Sequence, residues 1–453
     1  MSYQKSMSRR RFLNNSAIAA GSVVGAGALL EACNTSGNPS TTSTGKSIVT
    51  LTVMYASNEF TKAYVTEFEK LNPDIKINFV ENDTTRLNAM LAAGTPPDFI
   101  RGAAIGSASN SARGLALALD SYLAKSSVLK ASDLLAINNA WRWDGKKTGQ
   151  GSIYGISKDW SLDATLWYNG SLLDKAGVTA PSTTVPITYD QLFTIAQKLT
   201  AKSGGKTQTY GFGTEWAWGL VGPIIAMVSQ QGGKLYNSDY TTIDFTTPEA
   251  QKAIEWYINF ASLGVGPSSL DPLPDGSDES TFVANRMGLT QDGYWFGGNF
   301  TTDTNMQKYA RLIPAPQMGS TRFSPCYAGV GAWISAKTKH PDEAWRLMEY
   351  FMTGTPAHDR ATSGWGIPSL KSFQQYMPQT MPYQQEAYAS TQNELQYVGL
   401  LPDSPYTSIG NFSTVIDKYV TQAVKKQISL TTACQQITAD SNKLLAQGKQ
   451  QLG

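Results

Sequence analysis

The chain has 453 residues, with 37 Lys and Arg against 35 Asp and Glu, and its formal net charge is only +2. Four of those basic residues and one of the acidic residues lie in the first 33 positions, so the rest of the chain carries 33 basic and 34 acidic residues. A near-neutral chain without a basic stripe is a poor partner for nucleic acid, and two histidines give no His-rich metal site. We therefore predict no nucleic-acid partner, no metal and no cofactor.

The first residues carry the features of an exported lipoprotein. Arg9 and Arg10, followed by a modest apolar stretch, resemble a twin-arginine export signal, and a small residue before Cys33 resembles the site at which lipoprotein precursors are cut. The apolar stretch is shorter than the roughly 20 residues of a membrane-spanning helix. Glu31 stands where such cleavage sites usually have a small or apolar residue, which leaves the efficiency of cleavage open. We expect residues 1–33 to be a signal ending at a lipid-bearing Cys33.

A polar tether and two lobes are expected after Cys33. Residues 34–47 are almost wholly Thr, Ser, Gly, Asn and Pro, a composition too polar and flexible to fold alone. The remaining ~400 residues exceed what a single hydrophobic core usually supports. We therefore predict a flexible tether and then two lobes.

The region after the tether alternates between strand and helix patterns. Residues 49–53 alternate apolar side chains with Thr, which is typical of a strand, and Phe60, Phe68 and Leu71 recur at helical spacing before Pro73 stops the helix. Residues 75–79 alternate again. A helix between two strands makes them parallel neighbours, so we predict an α/β lobe whose ligand-facing loops follow the carboxyl ends of its strands.

Later helices are predicted from their starts. Thr188 with Gln191 forms a capping-box pattern, and Thr247 precedes a proline at the first position of another apolar-periodic segment. Pro341 opens a further helix, and the last hundred residues read mainly as helices.

The two cysteines beyond Cys33 are interpreted as buried apolar side chains. Cys434 shares a helical face with Ile437, Ser441 and Leu444, which favours burial. A disulfide with Cys326 stays open, because export through an oxidising compartment permits it without requiring it.

Four stretches together resemble one protein family. They resemble, in order, its first helix-to-strand junction, its helix-turn-strand, its first crossing between lobes and the stretch before the return crossing. The stretches are residues 68–75, 91–98, 154–178 and 285–295. The chain from residue 49 onward is thereby similar to extracellular solute-binding proteins of family 1, the maltose-binding-protein-like sugar receptors of ABC importers.

This resemblance implies an α/β fold of the type II periplasmic-binding-protein kind. Two lobes are joined by a hinge that the chain crosses several times, and the ligand lies in the cleft between them. The expected boundaries are 48–160 with 328–360 for the first lobe, and 161–327 with 361–453 for the second.

A sugar site needs flat aromatic surfaces for the apolar C–H face, and carboxylates, amides or Arg for the hydroxyl rim. In the first lobe we expect polar contacts from Tyr55, Glu59, Asp83 and Arg101, which follow predicted strands, although such residues also cap helices. Gly331 offers close backbone approach at the return crossing.

The aromatic candidates lie at the crossings and in the second lobe. Family members commonly stack a ring on the ligand in the stretch that contains Tyr294 and Trp295, and core packing is the alternative for each candidate. The candidates are Trp160, Trp216, Trp218, Tyr294, Trp295 and Trp365, together with Asp163, an acid three residues after Trp160.

The expected function is capture of a carbohydrate, in particular an oligosaccharide, by a monomeric receptor anchored by lipid to the outer face of the cell membrane. An ABC-importer permease would be its partner, and we expect no enzymatic activity. The alternatives are a receptor for a peptide or polyol, and a secreted glycosidase, which would need two carboxylates facing each other across the scissile bond.

Overall fold

The computed structural model of the chain describes residues 47–214, 220–268, 270–273, 278–327 and 329–452. Arg9, Arg10, Cys33, Trp216 and Trp218 lie outside these ranges. None of the helices in these ranges is both long enough and apolar enough to cross a membrane.

The described residues form sixteen strands, fifteen α-helices and several short 3₁₀ helices. The strands are β1 (Val49–Tyr55), β2 (Ile75–Glu81), β3 (Phe99–Ala103), β4 (Arg142–Trp143), β5 (Ser152–Ile153), β6 (Ile156–Ser157), β7 (Asp159–Trp160), β8 (Leu166–Asn169), β9 (Ala201–Ser203), β10 (Lys206–Gly213), β11 (Met287–Thr290), β12 (Ala310–Ile313), β13 (Ser324–Cys326), β14 (Val330–Ile334), β15 (Ile367–Pro368) and β16 (Val398–Leu400). The α-helices are α1 (Lys62–Leu71), α2 (Thr84–Ala92), α3 (Ser107–Ala112), α4 (Asp120–Lys125), α5 (Gly170–Lys175), α6 (Tyr189–Leu199), α7 (Val221–Gln230), α8 (Pro248–Leu263), α9 (Asp278–Val283), α10 (Thr304–Tyr309), α11 (Pro341–Thr353), α12 (Thr355–Ser363), α13 (Pro382–Glu394), α14 (Ile409–Val424) and α15 (Leu430–Leu452). The 3₁₀ helices are Ala131–Asp133, Ala136–Trp141, Tyr294–Phe300, Lys371–Tyr376 and Leu395–Tyr397.

The first lobe is built on a five-stranded sheet with the order β2-β1-β3-β14-β6. Strands β1, β2 and β3 run parallel, as the strand-helix-strand pattern predicted, and β14 pairs antiparallel with β3 and β6. Helix α1 begins after Thr61, whose hydroxyl accepts the Tyr64 N–H, and ends at Asn72 before Pro73. The three parallel strands therefore end at one edge of the sheet.

Aromatic rings fill the centre of the first lobe. The Tyr55 ring packs edge-on against Phe351 of α11, with ring centroids 4.9 Å apart, and Phe60 packs against the same ring at 5.1 Å. Tyr55 and Phe351 are fully buried. The return helix α11 is thus part of the first-lobe core, although more than 270 residues separate it from β1 along the chain.

The second lobe is built on another five-stranded sheet, with the order β12-β8-β11-β10-β9. Side chains of β8 point alternately to its two faces: Leu166 and Tyr168 join the apolar cluster formed with α7, α8, α14 and α15, and Trp167 joins a cluster formed with Tyr294–Phe300 and α13. Both faces of this sheet are therefore covered, which is typical of α/β layers.

The chain passes between the two sheets more than once. Strand β6 belongs to the first sheet and β8 to the second, so residues 158–165 form a crossing. The chain has returned to the first sheet by β14, after β12 in the second. Strand β15 then pairs with β7 inside the first crossing. The predicted two-lobed fold with a multi-crossing hinge is confirmed, while the exact lobe boundaries stay a prediction.

The predicted helix starts are confirmed by their caps. Thr188 and Gln191 form a reciprocal capping box at α6, and the Thr247 hydroxyl accepts the Ala250 N–H at the start of α8. Helix α11 begins at Pro341.

Cys326 and Cys434 are both buried and are not joined by a disulfide, so the interpretation of Cys434 as an apolar core residue holds. Its neighbours Ile437 and Ser441 are fully buried, but Leu445, and not Leu444, completes the face. Burial raises the pKa of the Cys434 thiol to about 11.

Candidate functional site

A cluster of charged side chains lies where β1 and β3 end and the first crossing begins. The Arg101 guanidinium donates to both carboxylate oxygens of Glu59, with Nε at 3.0 Å and Nη2 at 2.7 Å. Lys158 places its Nζ 2.5 Å from Asp159 and 3.7 Å from Glu59. The structure thus brings together two of the residues proposed from sequence, Glu59 and Arg101.

The charges in this cluster stabilise one another despite their burial. Burial by itself raises the pKa of Glu59, but Lys158 and Arg101 outweigh it and hold that pKa below its ordinary value of 4.5. Burial likewise lowers the pKa of Arg101, and the Glu59 carboxylate more than reverses this. Glu59 therefore stays ionised at neutral pH, as an acceptor for hydroxyl groups.

Glu59→Gln is expected to lower the free energy of unfolding by about 2 to 4 kcal/mol at neutral pH, because Arg101 and Lys158 lose their shared carboxylate. The pair's contribution is complete above pH 4.5 and is lost as the pH falls through the lowered pKa of Glu59. Urea denaturation of both proteins measures the difference. Lys76→Met is the matched control, because its ion pair with Glu69 is on the surface and its loss should cost less than about 1 kcal/mol. Equal losses in the two variants would contradict the prediction.

Arg360 joins this cluster from α12. Its Nη2 donates to the Phe351 carbonyl at 2.8 Å and its guanidinium lies 4.5 Å from the Phe351 ring centre, whereas its Nε and Nη1 have no hydrogen-bond partner among the described residues. Burial lowers the pKa of Arg360. Lys158 and Arg360 were both missed from sequence: Lys158 stands beside the acid and Trp of the crossing, a signal that was available, whereas no local pattern marks Arg360.

Tyr55 and Gly331 bind each other in the first-lobe sheet. Tyr55 is fully buried, and its hydroxyl donates to the Gly331 carbonyl at 3.0 Å. A Cβ on Gly331 would collide with the Ile156 carbonyl oxygen on the neighbouring strand β6. The close approach predicted at Gly331 is therefore an approach between strands.

The carboxylates of Asp83 and Asp163 accept hydrogen bonds from backbone N–H groups. Asp83 is exposed and caps α2, accepting the Arg86 N–H at 2.7 Å. Asp163 is 3% exposed and accepts the Tyr327 N–H at 2.6 Å, which ties the first crossing to the return crossing.

A glycine lets the segment that contains Trp295 pack against the first crossing. Gly293 has φ of +70°, a conformation that favours glycine, and a Cβ there would collide with Ser161. Its carbonyl accepts the Trp167 indole N–H at 2.6 Å. The two stretches singled out from sequence, around Trp160 and around Trp295, therefore touch.

The aromatic candidates divide into buried rings and surface rings. Trp160 and Tyr294 are 5% and 4% exposed and belong to one apolar cluster, and the Trp160 indole N–H has no partner among the described residues. Trp295 packs on the edge of that cluster, with its ring centre 5.4 Å from that of Trp365. Trp365 is 38% exposed, so this pair presents aromatic surface to solvent.

The loop of Trp365 is fixed next to the first crossing. Gly366 follows it, and a Cβ there would lie 3.0 Å from the Cβ of Asp159. Ile367 then pairs with Trp160 in the β15–β7 ladder. Segments near residues 160, 295 and 365 thus converge beside the charged cluster, which gives one region with exposed aromatic rings and ionised hydrogen-bonding groups.

Comparison with known proteins gives a consistent result. Residues 56–353 match the family described as "Bacterial extracellular solute-binding protein". The maltodextrin-binding protein MdxE of Bacillus subtilis (strain 168) is 25% identical over 344 residues, which cover 71% of this chain and 72% of that protein.

Solved structures share the fold. An ABC substrate-binding protein of Listeria monocytogenes, in complex with cycloalternan, superposes with a TM-score of 0.73 at 22% identity and covers 88% of this chain and 99% of its own. An ABC transporter solute-binding protein of Thermotoga lettingae, bound with α-D-tagatose, gives 0.72 at 18% identity, covering 88% and 100%.

Proposed function

The chain belongs to the family of bacterial extracellular solute-binding proteins, and we propose that its solute is a carbohydrate, in particular an oligosaccharide, captured for an ABC importer. The observation that carries this proposal is the Trp295–Trp365 pair. The two ring centres are 5.4 Å apart, and the rings are partly exposed beside the first crossing. A flat apolar ring surface suits the C–H face of a pyranose. The names of the relatives, which bind or are solved with sugars, support the same class.

The charged cluster, which reaches the loop of Trp365 through Asp159, has polar groups that suit the hydroxyl rim of a sugar. Glu59 supplies ionised acceptor oxygens and Arg101 supplies donors, and their side chains keep 16% and 21% of their surface exposed. Asp83 lies at the same edge of the first sheet, after β2. Because Glu59 and Arg101 hold each other in place, they offer hydroxyls a preorganised pair at little further ordering cost.

We propose the ligand contacts accordingly. Direct contacts come from Trp295, Trp365, Glu59, Arg101 and Asp83. Trp160, whose indole N–H has no partner among the described residues, is a further contact. Trp216 and Trp218 remain further candidates in residues outside the described ranges. The supporting residues behind the contacts are Tyr294, Asp163, Tyr55 and Gly331.

Isothermal titration of the soluble chain beginning at Ser47 against mono- and oligosaccharides tests the proposal. We expect saturable binding of at least one oligosaccharide. Peptides and polyols belong in the same panel, since binding of one of these with silence across all sugars would replace the carbohydrate with that solute.

Neither Glu59 nor Asp292 suits the role of general acid in a glycosidase. A general acid needs a raised pKa next to the ligand. The pKa of Glu59 is lowered, and Asp292, whose pKa burial raises to about 7, is only 2% exposed. We expect prolonged incubation with a bound oligosaccharide to yield no hydrolysis product. Formation of such a product would favour the glycosidase instead.

We further propose that the chain is exported and held by lipid at the outer face of the cell membrane, where it delivers its ligand as a monomer to permease subunits. The support is the paired Arg9 and Arg10, the following apolar stretch and Cys33, with residues 34–47 as tether.

Cys33→Ser is expected to abolish lipid attachment and to release a folded protein, because the tether, and not the lobes, would hold the protein at the membrane. Metabolic labelling with a fatty acid measures attachment, and fractionation of the cells measures release. Label retained in the variant would contradict the assignment of Cys33.

A further inference from the structure

Two buried carboxylates of the second lobe share a single hydroxyl group. The Thr290 hydroxyl, at the end of β11, lies 2.8 Å from Oδ2 of Asp278 and within hydrogen-bonding distance of Oδ2 of Asp292. Asp278 and Asp292 are each 2% exposed, and Thr290 is fully buried. Water therefore does not screen the two carboxyl groups from each other.

The Thr290 hydroxyl forms a bridge between the carboxyl groups of Asp278 and Asp292, and the chemistry of this bridge requires a further proton. A threonine hydroxyl has one hydrogen and can donate it to only one of the two carboxylates. The other contact is a hydrogen bond only when that carboxyl group is itself protonated and donates to the Thr290 oxygen. The arrangement as seen thus holds one proton between Asp278 and Asp292, and the two groups titrate as a coupled pair.

The described residues that surround the bridge add negative charge or none. Glu279, on α9 next to Asp278, acts on Asp292 by charge repulsion. Gly213, at the end of β10, abuts the Asp278 carboxylate, and the hydroxyl of the next residue, Thr214, lies 3.1 Å from Oε1 of Gln291. From the first crossing, the Asp163 backbone faces the residue after Asp292. Loss of the shared proton would therefore put two close charges into a buried region with a third carboxylate near them.

The bridge is joined directly to the proposed aromatic contact. Asp292 is followed by Gly293, which has a φ of +70° and lies so close to Ser161 that a Cβ would collide with it, and Trp295 lies two residues further on. A displacement of Asp292 away from Asp278 would move this segment against the first crossing.

We propose that Asp292 is a positioning residue whose shared proton holds the segment with Trp295 in its binding conformation, so that ligand affinity falls as the proton is lost. This inference rests on the proposed function for its ligand. It adds a pH dependence that the aromatic and polar contacts by themselves would not have, since Glu59 and Arg101 keep their charges across the neutral range.

The direction of the pH dependence follows from burial. Burial raises the pKa of Asp292 from 3.8 to about 7, and Glu279 raises it further while Thr290 opposes the change. A raised carboxyl pKa gives stability that is complete below the unfolded value and is lost as the pH rises through the folded value. Both stability and affinity should therefore decline between about pH 6 and pH 8.

The test compares the wild-type chain with Asp292→Asn, whose amide can donate to Thr290 at every pH. Titration with an oligosaccharide from the binding panel at pH 6, 7 and 8 should show roughly a tenfold loss of wild-type affinity, as expected for one required proton. The variant should bind with similar affinity at all three values. A flat wild-type profile, or the same slope in both proteins, would overturn the proposal.

Two controls separate this effect from general ones. Asp403→Asn removes another carboxylate whose pKa burial raises to about 7, held 2.7 Å from the Gly106 N–H, and should keep the wild-type slope of affinity. Thr290→Ser retains the hydroxyl and should keep the slope, whereas Thr290→Val should change it. A flattened slope in Asp403→Asn, or a wild-type slope in Thr290→Val, would overturn the role of the bridge.

Melting curves without ligand test the shared proton independently of any sugar. The melting temperature of the wild type should fall between pH 6 and pH 8 more than that of Asp292→Asn. Parallel curves would overturn the shared proton even if binding is pH-dependent. If no sugar binds, the proposed function is wrong, but these curves still show whether Asp278 and Asp292 share a proton.

Discussion

Trp295→Ala is expected to weaken oligosaccharide binding by roughly tenfold to a hundredfold while the melting temperature stays close to that of the wild type. The ring lies on the edge of its apolar cluster against Trp365, so its loss removes an aromatic contact with the ligand and opens little cavity. Leaving the apolar face of the sugar against water costs about 1 to 3 kcal/mol. Isothermal titration and thermal melting of one preparation measure both quantities.

Tyr294→Ala is the matched control for this prediction. Tyr294 is the neighbouring aromatic residue but is 4% exposed and packs inside the same cluster, so its truncation creates a cavity. We expect it to lower the free energy of unfolding by about 3 to 5 kcal/mol. If Trp295→Ala instead lost stability and kept its affinity, Trp295 would be a core residue and the stacking role would pass to Trp160 and Trp365.

Gly331→Ala is expected to destabilise the first lobe strongly, because its new methyl group would collide with the Ile156 carbonyl oxygen in the neighbouring strand. Backbone cannot give way as a flexible side chain can, so β14 and β6 must separate and the Tyr55 hydrogen bond to Gly331 is strained. We expect a loss of about 2 to 4 kcal/mol in the free energy of unfolding, measured by urea denaturation.

Gly410→Ala is the control for the effect of adding a methyl group at a glycine. Gly410 lies in α14, and a Cβ there would meet only the Ser408 hydroxyl oxygen, at 3.9 Å. Alanine in a helix should stabilise the chain by up to about 1 kcal/mol. A stable Gly331→Ala protein with weakened ligand binding would instead favour the first interpretation of Gly331, as a point where the backbone meets the ligand.

Elements with local signals were predictable from the sequence. These signals are the apolar alternation of β1, the helical spacing of α1 and the capping box of α6. Each depends only on residues that lie close together in the sequence. Such patterns fix which face of an element is apolar, and burial then follows. The error at Leu444, where Leu445 is the buried residue, shows the limit: one position along a helix turns a side chain by about 100°.

The candidate site was only partly predictable. Glu59 and Arg101 were named from their places after strands, and the structure joins them as a pair. The same reasoning also named Tyr55, which is fully buried, because strand ends are defined by the backbone while the direction of a side chain depends on what packs around it.

The sequence by itself therefore determined the strand-helix-strand start of the first lobe, several helix starts, the α/β class, the family and the types of residue available for a carbohydrate. Only the tertiary structure decided which of those residues meet. Tyr55 and Gly331 are 276 positions apart, and Trp295 contacts Trp365 across another long separation. Arg360 reaches the charged cluster from a helix whose own sequence gives no sign of it. The physical reason is that periodicity and capping act between neighbours along the chain, whereas these contacts join residues that are far apart in the sequence and meet only when the whole chain packs.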